Sequence, residues 1–295
     1  MVLRTLLFVP GNQERRIEKA RSIAADALIL DLEDSVPPAE KALAREKVAV
    51  SLEGLASTGR TVFTRINSLA TPYVLPDIKA VVRSGLRGIL LPKSESTTDI
   101  QKADAFITDI EVTAGLEIGS TGLLALIETP RGIINAYEIA SASARIIGLA
   151  FGAEDYTLEM GITRTKEGDE LYYPRMAISI ACHAAGILAI DSVYTDVRDS
   201  EGLVKETKEV RQMGFQGKLV IHHDQVDPVN QVFIPSKEEV SHARIVVEAF
   251  EAAVAEGKAS TSLDGRMVDA PVAERAKKLL YLAESIVKKE GTSLT

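Results

Sequence analysis

Eight short runs rich in Leu, Ile and Val recur along this chain, and their repetition constrains the fold more than any other feature. Each run is followed by a polar or glycine-containing break and then by a longer stretch with helical spacing. The runs cover 6–9, 27–30, 62–64, 88–91, 123–127, 146–151, 187–190 and 218–221. Nearly continuous apolar strands suit a parallel sheet covered on both faces, and helices between them suit right-handed crossovers. Eight such units predict an α/β fold of the (β/α)8 TIM-barrel type. A doubly wound open sheet shares the alternation but more often has about five or six strands.

Three helices stand out. Residues 14–24 place Ile17, Ala20, Ile23 and Ala24 on one side and charges on the other. Residues 236–256 open with Ser236 and Glu239 at capping-box spacing, and 271–289 form the last helix. A turn-rich segment, 257–265, separates the last two, which lie beyond the eighth strand. The expected organisation is a barrel over 1–235 and a C-terminal helical extension over 236–295 whose apolar faces need a surface to cover.

Charge and cysteine content narrow the function classes. With 34 basic against 42 acidic residues the net charge is -8, which argues against nucleic-acid or anionic-membrane partners. No apolar run approaches the roughly 20 residues needed to span a bilayer, and the single cysteine, Cys182, excludes an intrachain disulfide. The apolar run at 6–9 is too short for a signal-peptide core, so a cytoplasmic location is expected.

In a barrel the loops after the strands converge on one face, so polar residues distant in sequence meet there. Pro10-Gly11 follows the first strand, Asp31-Leu32-Glu33-Asp34 the second, Arg65-Ile66-Asn67 the third and Pro92-Lys93 the fourth. Glu128 follows the fifth, Gly152-Ala153-Glu154-Asp155 the sixth, Asp191 the seventh and His222-His223 the eighth. Carboxylates crowded into one mouth repel one another unless they are protonated, paired or bound to a cation. Oxygen donors without a Cys/His cluster favour Mg2+ over Zn2+, with Mn2+ a substitute.

Six blocks carry a family resemblance: Leu7-Phe8-Val9-Pro10-Gly11, Asp31-Leu32-Glu33-Asp34-Ser35-Val36, Arg65-Ile66-Asn67, Leu91-Pro92-Lys93, Gly152-Ala153-Glu154-Asp155-Tyr156 and Gly265-Arg266-Met267-Val268-Asp269. In this order they resemble the citrate lyase β-subunit and malyl-CoA lyase family of the HpcH/HpaI aldolase superfamily. The resemblance implies a Mg2+-dependent lyase that breaks or makes a carbon-carbon bond next to an acyl thioester. Malyl-CoA, citramalyl-CoA and citryl thioesters are the substrates it brings into view, on coenzyme A or on an acyl-carrier subunit working with a citrate lyase α-subunit.

The same resemblance implies roles for residues. Glu128 and Asp155 become the protein ligands of Mg2+; the competing readings are an ion pair of Glu128 with Arg131 and helix capping by Asp155. Arg65 becomes the stabiliser of negative charge on the thioester oxygen, with a salt bridge to Asp31, Glu33 or Asp34 as the competing or coexisting role. Asp31, Glu33, Asp34 and Glu154 order metal waters and Arg65, while Gly152 and Ala153 let backbone N–H groups approach the substrate carboxylate. Pro10, Gly11, Arg15 and Lys19, with Arg16 beside them, form the coenzyme A side; a solvated helix face is the alternative for the basic residues. Asp269 becomes a general acid/base delivered from a neighbouring subunit of a homotrimer or dimer of trimers, or else an N-cap of the last helix.

One departure is visible: Ile221-His222-His223 stands where such proteins commonly carry Ile-His-Pro. Neighbouring histidines usually point in different directions, so a transition-metal site is not expected there. Cys182 and His183 read as packing residues. Two rival functions remain open, a Schiff-base aldolase using Lys93 and a noncatalytic binding protein.

Overall fold

The computed structural model describes residues 1–291, in two compact units: Leu3–Asn230, and 231–291 with Met1 and Val2. The first unit is a closed barrel of eight parallel strands, each paired with its sequence neighbours and the last with the first. Its strands are β1 Thr5–Pro10, β2 Ala27–Asp31, β3 Thr61–Arg65, β4 Gly88–Leu91, β5 Gly122–Ile127, β6 Ile146–Phe151, β7 Leu188–Asp191 and β8 Gly217–Val220. The eight runs read from the sequence coincide with these strands to within one residue at either end. Helices α1 Glu14–Ala20, α2 Lys41–Ala56, α3 Val74–Val81 and α4 Thr97–Ala114 connect the first five strands. Two short helices, α5 Pro130–Ile134 and α6 Ala136–Ala140, precede β6; α7 Ala153–Met160 and α8 Tyr172–Ala185 precede β7; α9 Ser200–Gln212 precedes β8.

Strand periodicity of two explains both the core and the position of the polar residues. Leu6, Ala27, Ile29, Phe63, Leu90, Leu124, Leu126, Ala150, Ile190 and Leu219 pack together inside the barrel. Counting on in steps of two reaches Asp31 from Ile29, Arg65 from Phe63, Glu128 from Leu126, Gly152 from Ala150 and Ser192 from Ile190. The polar mouth is therefore the continuation of the apolar interior. The intervening residues, among them Leu28, Leu30, Val62, Ile89, Leu123, Leu149 and Ala189, are buried on the opposite strand face.

The opposite face also holds charge that the sequence reading assigned to the mouth. Asp191 is the last residue of β7, not a loop residue, and its parity directs it away from the interior. It is fully buried and accepts hydrogen bonds from Arg175 Nε at 2.9 Å and from Lys218 Nζ. Glu206 on α9 completes the group, with Lys218 Nζ at 2.7 Å and Arg175 Nη2 at 3.1 Å. The short expected stretch around 14–24 likewise ends early as a helix, at Ala20.

In the second unit, α11 Lys237–Ala255 begins at Ser236, whose side chain and that of Glu239 form the capping box anticipated from the sequence. It follows α10 Val226–Phe233, which carries the chain across the unit boundary. The segment taken as a plain turn contains a hairpin, β9 Ser260–Leu263 with β10 Arg266–Asp269. Asp264 and Gly265 both adopt positive φ, as a two-residue hairpin turn requires. Asp269 then caps α12 Ala270–Glu290 by accepting the Val272 N–H at 3.2 Å. Ala243, Val246, Val268 and Ala276 form the small core of this unit.

One buried ion pair lends itself to a stability test. Glu111 near the end of α4 accepts from Arg145 Nη2 at 2.6 Å and from the Gly119 and Thr121 N–H groups at 2.8 Å. Burial works to raise its pKa, but the Arg145 and backbone donors prevail and bring it down from 4.5 to about 2. A depressed folded-state pKa contributes stability above the unfolded value, and that contribution disappears as pH falls through the folded one. Glu111→Gln is expected to cost about 3 kcal/mol near neutrality, because it leaves a buried guanidinium short of a partner. In denaturant titrations the gap between variant and parent should narrow between pH 4.5 and about 2; a pH-independent gap would contradict this assignment.

Candidate active site

Arg65 is the centre of the mouth. At the end of β3 its Nε and Nη2 each donate to one oxygen of Asp31 at 2.7 Å, a bidentate pair, and Nη1 lies 3.1 Å from both Glu33 and Asp34. The guanidinium also stacks over Phe8, 4.8 Å from the ring centroid. Asp31, only 1 % exposed, accepts in addition the N–H groups of Glu33 at 3.0 Å and Ser35 at 3.1 Å, so it folds the acidic loop and orients Arg65 together. Burial raises the Asp31 pKa, but Arg65 and these donors lower it overall. Burial works against the charge on Arg65, and the Asp31 carboxylate more than offsets it, so the guanidinium pKa is raised.

Lys41, which the sequence reading did not single out, and Asn67, which it placed after the third strand without a role, hold this loop in place. Lys41 Nζ donates to the Leu32 and Glu33 carbonyls at 2.7 Å, and Asn67 Nδ2 donates to Leu32 O at 2.9 Å and to Asp77 at 2.6 Å. Their signal was weak, because a lysine eight residues on and an Asp on the next helix follow no motif spacing. Gly11 is required for close packing, since a Cβ there would sit 2.6 Å from Asp31 O.

The second half of the site follows β5 and β6. Glu128 is 3 % exposed and accepts the Lys93 backbone N–H at 2.8 Å, while Lys93 Nζ reaches Asp155 Oδ1 at 3.4 Å. Glu128 thus engages Lys93 rather than Arg131, its partner in the competing reading. Asp155 does not cap a helix either: Gly152 is the N-cap of α7 and Asp155 lies inside its first turn. Lys93 has φ 50, a left-handed conformation uncommon outside glycine, and it links the two carboxylates through its backbone and its side chain. Burial lowers the Lys93 pKa, but Asp155 and Glu128 raise it overall. A lysine held as an ammonium is the opposite of the neutral amine that a Schiff base needs.

Two acids remain under electrostatic pressure. Burial, then the Asp155 charge, pushes Glu128 up to about 7 despite the Lys93 N–H. Burial pushes Glu33 up to about 8; Arg65 opposes this, and Asp34, Glu128 and Asp31 add to it. A cation at Glu128 and Asp155 would relieve both. The donor set fits a hard divalent ion that takes one or two carboxylates and keeps water. Space has been left beside it, for a Cβ on Gly152 would fall 2.5 Å from Glu128 Cβ and 2.7 Å from its Oε2. Phe8, Arg65, Glu128, Asp155, Ser192 and Ile221 are among the residues around the resulting cavity of about 380 Å³.

Some expectations need correction. The N–H groups of Gly152 and Ala153 are already engaged, by Ile127 O at 2.9 Å and Ser192 Oγ at 3.1 Å, so they are not offered to a ligand. Gly152 serves instead by having no side chain. Glu154 pairs with Arg164, which also contacts Glu206 at 3.4 Å and so ties α7 to the buried charges behind β7 and β8. A second cavity of about 260 Å³ is lined by Pro10, Arg16, Lys19, Ile221, His222 and His223. Arg15 is exposed on the same helix but does not line it. His222 and His223 do not diverge: their ring centroids are 4.3 Å apart, because the extended backbone of His222 gives way at once to a tight turn over His223–Gln225. Cys182 is buried and its thiol is pushed up to about 12 by burial, in keeping with a packing role.

Residues 4–223 match the HpcH/HpaI aldolase/citrate lyase family. The chain belongs to that family. It is 41% identical over 290 residues to the citrate lyase subunit beta of Leuconostoc mesenteroides subsp. cremoris, covering 98% of this chain and 96% of that protein. It is 43% identical over 281 residues to the citrate lyase subunit beta of Escherichia coli K12, with 95% and 93% covered. Against the mitochondrial citramalyl-CoA lyase of Rattus norvegicus the identity is 33% over 300 residues, with 97% and 87% covered. Among solved structures, the CitE protein of Mycobacterium tuberculosis in complex with magnesium, acetoacetate and coenzyme A superposes with a TM-score of 0.78 at 31% identity, covering 96% of this chain and 98% of that one.

Gly152→Ala tests the geometry around Glu128. The added methyl must displace either Glu128 or the start of α7, at a cost of about 1–3 kcal/mol. A crystal structure of the variant should show the Glu128 carboxylate shifted and its bond to the Lys93 N–H lengthened or lost. An unmoved Glu128 with an unmoved backbone would contradict the close approach described.

Proposed function

We propose that this chain is a Mg2+-dependent carbon-carbon lyase that cleaves a 3-hydroxy-carboxyacyl thioester into an acetyl thioester and a 2-oxo acid. The observation that carries the reading is one cavity bounded by the buried, electrostatically strained carboxylate of Glu128, by the half-exposed Asp155 and by the fixed guanidinium of Arg65. Two further findings support it. The similar CitE structure holds magnesium with coenzyme A, and another structure of the citrate lyase beta subunit from Mycobacterium tuberculosis, 32% identical over 79% of this chain, is complexed with oxaloacetate and magnesium. Within this class a citryl thioester is favoured over citramalyl-CoA, because identity to the citrate lyase beta subunits is 41% and 43% against 33%.

The reaction asks little of covalent chemistry. The hydroxyl proton leaves, the carbinol carbon becomes the ketone of the 2-oxo acid, and the electron pair of the broken carbon-carbon bond passes to the thioester as an enolate. A proton delivered to the enolate carbon then completes the acetyl thioester. Mg2+ held by Glu128 and Asp155 supplies Lewis-acid polarisation of the hydroxyl or keto oxygen. Arg65, fixed by Asp31 and stacked on Phe8, presents its remaining N–H to the developing negative charge without reorganising. Pro10 and Lys19, with Arg16, border the second cavity and suit the anionic arm of the thioester, whether coenzyme A or a carrier-linked group. Arg15 would contribute at longer range. Asp269, at the close of the β9–β10 hairpin, is assigned as the acid/base supplied by a neighbouring chain of a homotrimer or hexamer.

The direct assay is cleavage of citryl, malyl and citramalyl thioesters with and without metal. EDTA should abolish turnover and Mg2+ or Mn2+ should restore it; turnover that survives metal removal would overturn the proposal, and borohydride trapping at Lys93 would favour the Schiff-base route. Arg65→Lys keeps the charge but loses the planar fork. It should lower kcat/KM at least tenfold, whereas a loss within about twofold, roughly 0.4 kcal/mol, would remove Arg65 as the enolate stabiliser. Mixing Asp269→Ala chains with Glu128→Ala chains should regenerate activity, because some mixed sites then carry both intact groups. Verified hetero-oligomers that stay inactive would end the assignment of Asp269 across chains.

A further inference from the structure

The loop after β8 carries three donors with no part in the carbon-carbon chemistry, two of them on the wall of the second cavity. One donor atom each from His222, His223 and Asp224 lies within 4.8 Å of the other two. Asp224 Oδ2 is 3.3 Å from His222 Nδ1 and Asp224 Oδ1 is 3.5 Å from His223 Nε2. Ligands bound about 2.0–2.1 Å from a tetrahedral ion are spaced at about this edge length, so little movement is needed to close the site. We propose that His222, His223 and Asp224 form a second cation site that takes a borderline transition ion such as Zn2+.

The loop that presents these donors is held rigidly from behind. Gln225 is 2 % exposed, accepts the N–H groups of Ile221 and His222 at 3.0 and 3.2 Å, and donates to Tyr194 O at 2.7 Å. The turn over His223–Gln225 is thereby fixed with the histidine rings on the same side. A metal on His222 Nδ1 would replace the capping contacts that this atom accepts at the start of the turn, the Asp224 N–H at 3.3 Å among them. Two imidazoles and a carboxylate select Zn2+, Ni2+ or Co2+ over Mg2+, which prefers oxygen and keeps its waters. The side chains are 39 %, 42 % and 71 % exposed, so solvent can complete the shell. Arg16 and Lys19 border the same cavity. Their charge opposes the cation somewhat, but it favours an anion, phosphate or carboxylate, in the open coordination position.

The experiment is a Zn2+ titration of the full chain in excess Mg2+, by calorimetry, with Co2+ absorption as a report on tetrahedral nitrogen-containing geometry. The expected result is one Zn2+ per chain that excess Mg2+ does not displace. His223→Ala and His223→Gln, both at an exposed position, should fold normally by thermal melt and weaken Zn2+ by at least the roughly 10–100-fold typical of lost metal-site partners. Glu128→Ala should leave Zn2+ affinity unchanged, which separates this site from the lyase centre. Absence of Mg2+-resistant Zn2+ binding, unchanged affinity in both His223 variants, or loss of binding in Glu128→Ala would each overturn the proposal.

Discussion

Five carboxylates share the barrel mouth with two cationic side chains, and the rest of the site is arranged around that imbalance. Asp31, Glu33 and Asp34 surround Arg65; Glu128 and Asp155 adjoin Lys93. Two like charges about 4 Å apart repel by roughly 4 kcal/mol at an effective dielectric constant near 20. Arg65 is held in a bidentate pair with Asp31, and its charge only partly offsets the acid on the β5–β6 side. The residual strain appears on the acids whose burial is not outweighed by a bidentate cation, with Glu128 pushed up to about 7 and Glu33 to about 8. A divalent cation is the economical relief, and Gly152 keeps the space beside Glu128 free of a side chain.

The scaffold makes the strain tolerable by fixing each acid from behind. Lys41 and Asn67 hold the carbonyls of the Asp31–Asp34 loop, Ser192 holds the start of α7, and Gln225 holds the loop after β8. On the outer face of β7 and β8, Asp191, Lys218, Arg175 and Glu206 form a buried group in which each charge has opposite-charge partners. Arg164 extends that group to Glu154, one residue from Asp155. Buried ion pairs of this kind contribute modestly to net stability, but removal of one partner is costly, which makes them good fixings for loop position.

Much of this was legible in the sequence, for identifiable reasons. Strands buried on both faces read as continuous apolar runs, so all eight were visible, and the residues closing them carried the mouth. What failed was parity. Asp191 looks like a mouth acid in one dimension, yet one residue of register sends it to the opposite face from Ser192. The hairpin over 260–269 was also readable, since Asp264-Gly265 is a strong two-residue turn signal, but alternation in Ser-Thr-Ser-Leu is too weak to announce a strand. The Lys41, Asn67 and Gln225 contacts depend on loop paths that no spacing rule encodes. Similarly, the approach of His222 to His223 reflects a local turn, whereas a regular strand would have separated them.

The central claim is that Glu128 and Asp155 together hold one divalent cation beside Arg65. Anomalous diffraction from crystals equilibrated with Mn2+ tests it most directly. The account predicts a strong peak at coordination distance from a carboxylate oxygen of both Glu128 and Asp155, lost in Glu128→Ala. A strong peak placed instead among Asp31, Glu33 and Asp34, or no peak in the mouth at a saturating Mn2+ concentration, would contradict it.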